Sequence, residues 1–294
     1  MTEGASLSYS IFDLAISRLV LLAGAVLLAQ VAWITLITGA LNATVNDLFT
    51  KPAVVLLPWL APATLSAFLI HCLGVRLLER RKVGELAVAD AALYLTVGAI
   101  GGFILFGMVM SVLWAGRWVA YDGYAGLTNV AATLLIFAAG ATFEELIYRG
   151  AIFRIVEESL GTMIALTLSA VLFGASHLGN TAATMASALS IAVAGGIVFG
   201  LAYTLTRSLW LPIGLHFGWN FAQGGMFGAA VSGHPVRGLL KFTLSGPSFV
   251  TGGAFGPEAS IYTTIFGVIV ATALGVVAYR RGQWTPLRFR FRLS

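Results

Sequence analysis

Eight stretches of about 20 mostly apolar residues run through this chain. They lie near 14–41, 53–75, 86–114, 127–148, 162–179, 183–206, 209–230 and 258–279. A helix of about 20 apolar residues spans the hydrocarbon core of a bilayer. Within lipid only helices and closed barrels satisfy their own backbone. The expected architecture is therefore all-α, a polytopic bundle of about eight transmembrane helices. Composition agrees: of 294 residues, 59% are hydrophobic and 10% charged, whereas a soluble domain carries about 25% charged residues. The net charge of +5 then reflects membrane topology, and no nucleic-acid partner is expected. The single cysteine, Cys72, excludes an intrachain disulfide and a cysteine-based zinc site. It is expected to pack within a helix as a small apolar residue. Met1 to Asp13 holds no Lys or Arg, so the charged start of a secretory signal peptide is missing.

Cytoplasmic loops of membrane proteins carry an excess of Lys and Arg. With eight spans and both termini inside, the inner positions take Arg18, Arg76, Arg80, Arg81, Lys82, Arg149, Arg154, Arg207, Arg280, Arg281, Arg288, Arg290 and Arg292. The outer ones keep Lys51, Arg117, Arg237 and Lys241, a division of 13 against 4. The chain reads as helices one to three (1–126), a core of helices four to seven (127–230), and an external loop, last helix and basic tail (231–294), all one structural unit. The loop 231–257 is rich in Gly, Ser and Pro, as lids and flexible segments often are. Residues 149–159 are expected to continue the fourth helix and emerge amphipathically at the cytoplasmic surface. Gly256-Pro257-Glu258 is expected to open the last helix. The arginine-rich loop 76–82 and the tail are expected to meet anionic lipid headgroups.

Three polar clusters interrupt the apolar runs. An ionisable residue at membrane depth costs about 2.5–3.5 kcal/mol on insertion scales and usually faces a protein interior or a wet cavity. In the first cluster, Glu144-Glu145-Leu146-Ile147-Tyr148-Arg149, Glu145 and Arg149 are four apart and can pair on one helix face. Glu144 is rotated about 100° away and stays free for proton transfer. The plainer reading is a solvated turn at a helix end. In the second, Phe173 and His177 share a face, and a neutral imidazole can accept a proton from water or bind a metal; a lone histidine there can equally be structural. In the third, His216 and Asn220 project the same way. Histidine plus amide is the composition of an oxyanion hole, or of a polar contact between membrane helices. Gly214 and Gly218 can serve as close-packing glycines.

The ordered set Glu144-Glu145-x-x-x-Arg149, Phe173-x-x-x-His177 and His216-x-x-x-Asn220 resembles the three-motif signature of the CPBP family. That family comprises type II CAAX prenyl endopeptidases and the bacteriocin-processing and self-immunity membrane proteins also called Abi. The signature covers roughly 140–222. The resemblance implies that Glu144 and His177 activate a water, that His216 and Asn220 bind the developing oxyanion, and that Glu145, Arg149 and Phe173 support the site. It implies no cofactor or a single divalent metal such as zinc, held if present by Glu144, His177 and His216. The zincin motif His-Glu-x-x-His is absent from the sequence, and a metal-free mechanism is the expectation.

The function implied is an intramembrane endopeptidase acting on membrane-associated substrates, prenylated (CAAX-type) ones among them, in a multi-pass protein of a bacterial inner membrane. A polar cavity open to the cytoplasm, with a lateral gap between helices, is expected. Two alternatives stand beside it. One is a non-proteolytic self-immunity or scaffold protein on the same fold, which has no reason to bear the insertion cost of four polar residues. The other is a proton-coupled transporter, against which the missing internal repeat counts.

Overall fold

The computed structural model describes residues 14–289; Met1 to Asp13, and Arg290 and Arg292 of the tail, lie outside the described residues. The apolar stretches form helices α1 (Ala15–Ala40), α2 (Ala53–Leu78), α3 (Ala91–Ala115), α4 (Leu127–Leu160), α5 (Thr162–Ser176), α6 (Met185–Thr206), α7 (Trp210–Asn220, extended by Phe221–Met226) and α8 (Ile261–Arg280). Seven helices are long and apolar enough to cross a membrane. The exception, α7, packs among α3, α4 and α6, so neighbouring protein rather than lipid surrounds it. Outward-facing apolar side chains such as Leu28, Leu65, Val97 and Ile269 are exposed, as suits lipid contact.

Local chemistry fixes the helix ends. Thr184 and Ser187 cap the start of α6 reciprocally, and the Ser260 hydroxyl accepts the Thr263 N–H at the start of α8; each satisfies a backbone N–H that the helix leaves open. Gly161 at φ +90° turns the chain from α4 into α5, a conformation that L side chains resist. Cys72 sits half-buried in α2 against the main apolar cluster, as its composition-based placement expects.

Three expectations are corrected. The fourth helix does not surface after residue 148: it runs on to Leu160, and Arg149, Arg154 and Glu157 are all buried. Each finds polar partners inside, so its charge needs no water. Pro257-Glu258 does not open the last helix but forms a separate 3₁₀ turn, Pro257–Ala259, with Ser260 capping α8 behind it. Nor is 231–257 an open loop. Its strand β2 (Leu240–Leu244) pairs antiparallel with β1 (Val119–Tyr124), and Val231, Val236 and Phe255 are buried.

The connections gather at two opposite ends. At one, the Leu209 N–H donates to the Glu85 carbonyl, the Thr162 N–H to the Thr285 carbonyl, and Arg207 pairs with Glu157. Arg81 donates to both carboxylate oxygens of Glu85 at 2.8 Å and to Glu79 at 2.7 Å, and Arg154 donates to Glu79 at 2.7 Å. Arg81 is thus drawn into the protein rather than given over to headgroups. Burial alone would raise the Glu79 carboxyl, but the Arg154 and Arg81 guanidiniums outweigh it and hold it below the usual carboxylate range. At the other end, β1 meets β2, His234 bonds Asn46 at 2.7 Å, and the Ser190 hydroxyl donates to the Glu258 carbonyl at 2.6 Å.

Helices α3 and α7 approach along a glycine seam. A Cβ at Gly218 would stand 2.0 Å from the Ala99 carbonyl oxygen, and one at Gly102 2.1 Å from that of Leu215. Small residues let membrane helices pack backbone to backbone, where dispersion rather than the hydrophobic effect holds them. Since His216 and Asn220 ride on α7, this seam sets their depth. We expect Gly218→Val to lower stability by at least about 1–3 kcal/mol, the usual range for overpacking, read as the thermal unfolding midpoint in detergent. An unchanged midpoint would mean that the seam is not tight.

Candidate active site

Glu145 is the hub of the buried polar centre. It lies on α4 just before a π-helical stretch, Leu146–Phe153. Its Oε1 accepts from Arg149 Nη1 at 2.8 Å and from His216 Nδ1 at 2.9 Å. The i, i+4 pair expected from the spacing therefore forms, and a histidine from a distant helix joins it. Glu145 and Arg149 are both 0% exposed. Arg149 Nη2 also donates to the Gly195 and Gly196 carbonyls, at 2.7 and 3.1 Å. Its guanidinium lies over the rings of Phe173 and Phe199, 4.6 and 5.4 Å from their centroids, a cation–π arrangement that strengthens where water is excluded.

The local backbone explains how these groups meet. Gly195 and Gly196 belong to a second π-helical stretch, Ala192–Ile197, within α6. A third, Phe221–Met226, begins directly after Asn220. Wide turns of this kind cluster at functional positions because they redirect helix faces and leave carbonyls available. At Gly195 a Cβ would collide with the Phe173 ring at 2.5 Å, so glycine there admits both the ring and the arginine.

Glu144 points elsewhere, as its rotation about the helix requires. Its side chain is 27% exposed, and its Oε2 stands 3.9 Å from His216 Nε2, too far for a hydrogen bond. That oxygen is buried without a hydrogen-bond partner among the described residues. His177 sits at the end of α5, where its Nδ1 lies 2.7 Å from the Phe173 carbonyl oxygen. A carbonyl only accepts, so Nδ1 carries the proton and Nε2 is an acceptor in the neutral ring. His216 is held the same way: with Nδ1–H donating to Glu145, its Nε2 donates only when the ring carries both protons.

These side chains line two connected spaces. A small pocket of about 30 Å³ is bordered by the polar side chains of His177, His216, Asn220, Ser232 and Glu258 and by an apolar wall that includes Phe173, Phe199 and Trp219. It is roomy enough for a water with several polar partners. A larger, mainly apolar cavity of about 930 Å³ contains Glu144 in its wall and shares His177, Asn220 and Ser232 with the pocket. Val20, Leu27 and Leu172, which line it from α1 and α5, are exposed. The expected lateral gap therefore lies between these two helices.

All seven residues named from sequence converge here. Two others were missed. Glu258 is buried and accepts the Ser232 N–H, and both line the small pocket. The one available signal was an acid among Gly, Pro and Ser beside an apolar run; reading it as a helix-start residue hid it. Of the remaining histidines, His71 lies elsewhere, against Glu85 at 3.3 Å, while His234 bonds Asn46 and lines the large cavity. Residues of 41–52, 177–184 and 227–260 reach the wall of the cavity, whereas the described residues of 79–90, 207–209 and 281–289 do not.

Both histidines tie Nδ1 to the protein and leave Nε2 free, an orientation that serves a reactant or a metal alike; among the described residues no three His, Cys, Asp or Glu side chains are grouped closely enough to hold a metal ion.

Fold and site define a multi-pass integral membrane protein with a buried polar cluster enclosed by its helices. Residues 126–222 match the family model described as type II CAAX prenyl endopeptidase Rce1-like. The matched stretch holds all three polar clusters and supports the family resemblance carried by the motifs. No curated protein and no solved structure matches the chain.

The two adjacent acids should separate experimentally. Arg149→Ala leaves Glu145 buried without its guanidinium and is expected to cost about 3–5 kcal/mol. Glu144→Gln, at a partly exposed position whose nearest charged neighbour is His216 at 3.9 Å with no hydrogen bond between them, should cost far less stability. Unfolding of both variants in detergent checks this; equal losses would contradict the division of labour.

Proposed function

We propose that this chain is an intramembrane endopeptidase that hydrolyses peptide bonds of membrane-associated substrates. The observation that carries the reading is the buried, unpartnered Glu144 oxygen in the wall of the large cavity, which shares His177 and Asn220 with a water-sized pocket that His216 also borders.

In this mechanism a water bound between Glu144 and the His177 Nε2 gives its proton to the Glu144 carboxylate as its oxygen attacks the substrate carbonyl carbon. His177 accepts the water's second hydrogen as a hydrogen bond, which its fixed Nδ1 proton permits. The negative charge developing on the carbonyl oxygen is met by the Asn220 amide N–H and by Nε2–H of a doubly protonated His216. Glu145 supports that protonation state by facing Nδ1–H with a carboxylate. When the C–N bond breaks, the proton held by Glu144 passes to the leaving amine, and the carboxylate is restored. Phe173 and Arg149 hold the α5 and α6 walls in place. No step passes through a metal.

The 930 Å³ cavity beside Glu144 suits the apolar part of a lipid-anchored peptide, including a prenylated one. The setting is a bacterial inner membrane with both termini cytoplasmic, and the partners are the bilayer and a peptide substrate.

Cleavage of a quenched farnesylated CAAX-type peptide by the purified protein tests the reading. Wild type should cleave it and Glu144→Ala should not. His177→Ala should also be inactive while remaining folded. Asn220→Ala should lose about 10²–10³ in turnover, the usual loss for an oxyanion donor. A strong chelator should leave the wild-type rate unchanged. Full activity of Glu144→Ala would remove the proposed base, and loss with chelator would restore a metal.

A further inference from the structure

The catalytic cavity and the basic residues occupy opposite ends of the molecule. Eight helices divide the connections cleanly. Those between α2 and α3, between α6 and α7, and after α8 lie together, as the backbone bond from Leu209 N–H to the Glu85 carbonyl and the bond from the Arg207 guanidinium to the Gln283 carbonyl show. With the helix ends that lead into them they carry Arg76, Arg80, Arg81, Lys82, Arg207, Arg280, Arg281 and Arg288. The connections at the other end carry only Lys51, Arg117, Arg237 and Lys241 among the described residues. These connections are all short, the regime in which Lys and Arg decide orientation and in which acids count for little. The ion pairs of Arg81 and Arg207 with Glu85 and Glu157 therefore do not weaken the bias. It places the Arg-rich end in the cytoplasm.

The cavity's helical wall reaches as far as Val20 of α1 and Ile152 of α4, but every connection that lines it belongs to the other end. His234, Ser232 and Val231 line it from the β2-containing connection, Asn180 from the turn after α5, and Phe49 from the α1–α2 connection. The pocket is closed over by Glu258 and Ser232 of that same connection. His177, at the end of α5, stands on that side as well.

We propose that the active site is served from the extracytoplasmic face, so that its substrates are membrane-anchored peptides presented outside the cytoplasm rather than cytoplasmic lipidated C-termini. The inference rests on the hydrolase reading for what enters the cavity, and on charge and geometry alone for the side from which it enters.

Thiol labelling tests the side without requiring turnover. In a Cys72→Ser background, which removes the chain's single cysteine, Asn180→Cys marks the cavity wall and Lys82→Cys the opposite end. Spheroplasts of a bacterial host are treated with a membrane-impermeant maleimide before and after permeabilisation. The expected result is that Asn180→Cys labels before permeabilisation and Lys82→Cys only after it; any other pattern overturns the proposal. Proteoliposomes sorted by the same Lys82→Cys protection then receive a quenched, lipid-anchored peptide from outside. Vesicles with Lys82→Cys inside should cleave it, and the Glu144→Gln counterpart should not. Cleavage only by vesicles of the reverse orientation would overturn the sidedness while leaving the peptidase reading intact. Cleavage by neither would count against the peptidase reading and the substrate class built on it, while the labelling alone would still decide the side of the opening.

Discussion

One carboxylate oxygen organises this molecule. Glu145 Oε1 accepts both the Arg149 guanidinium and the His216 imidazole, and through them it ties α4 to α7 and, by way of the Gly195 and Gly196 carbonyls, to α6. In a bundle without water, apolar side chains gain little by choosing one helix over another, since lipid is as apolar as leucine. Polar groups have no such indifference, because each must find its partner or bear the cost of isolation. A buried ion pair adds little net stability over a well-packed apolar pair. Its use here is specificity: it admits one rotation and one depth for each helix it joins.

That specificity separates two acids adjacent in sequence. Glu145 is consumed by structure, while Glu144 is turned toward the cavity with an oxygen left unpaired. Nothing but the 100° step of a helix distinguishes them. The same logic runs through the histidines. In both His177 and His216 the Nδ1 is tied to the protein, so the Nε2 of each is the atom available to a reactant. Three π-helical stretches at the site and the glycine seam between α3 and α7 supply the backbone adjustments that bring α5, α6 and α7 to one small pocket.

The two ends of the bundle contrast in kind. The Arg-rich end is sealed by a network in which Glu79, Glu85 and Glu157 absorb the charge of Arg81, Arg154 and Arg207. The other end is built from a two-stranded ribbon, short turns and buried loop residues, and it is there that the cavity is lined by loops. A cavity lined by the connections of one end and an ion-pair network at the other make the molecule directional.

The sequence by itself determined that the chain is a helical membrane bundle, because runs of about 20 apolar residues have few other solutions. It also determined which polar residues meet, because charged and hydrogen-bonding groups set among apolar runs must converge on one another. Helical spacing alone assigned Glu145, and not Glu144, to Arg149. Tertiary structure decided what spacing cannot carry. His216 completes the Glu145 pair from 71 residues away. Glu258 and Ser232 enter the pocket from a segment with no periodicity to read. The fourth helix stays buried beyond residue 148 because Glu79 and the α6 carbonyls are there to receive its arginines. The mouth of the cavity, too, is a property of where eight helix ends come together, and no local pattern encodes it.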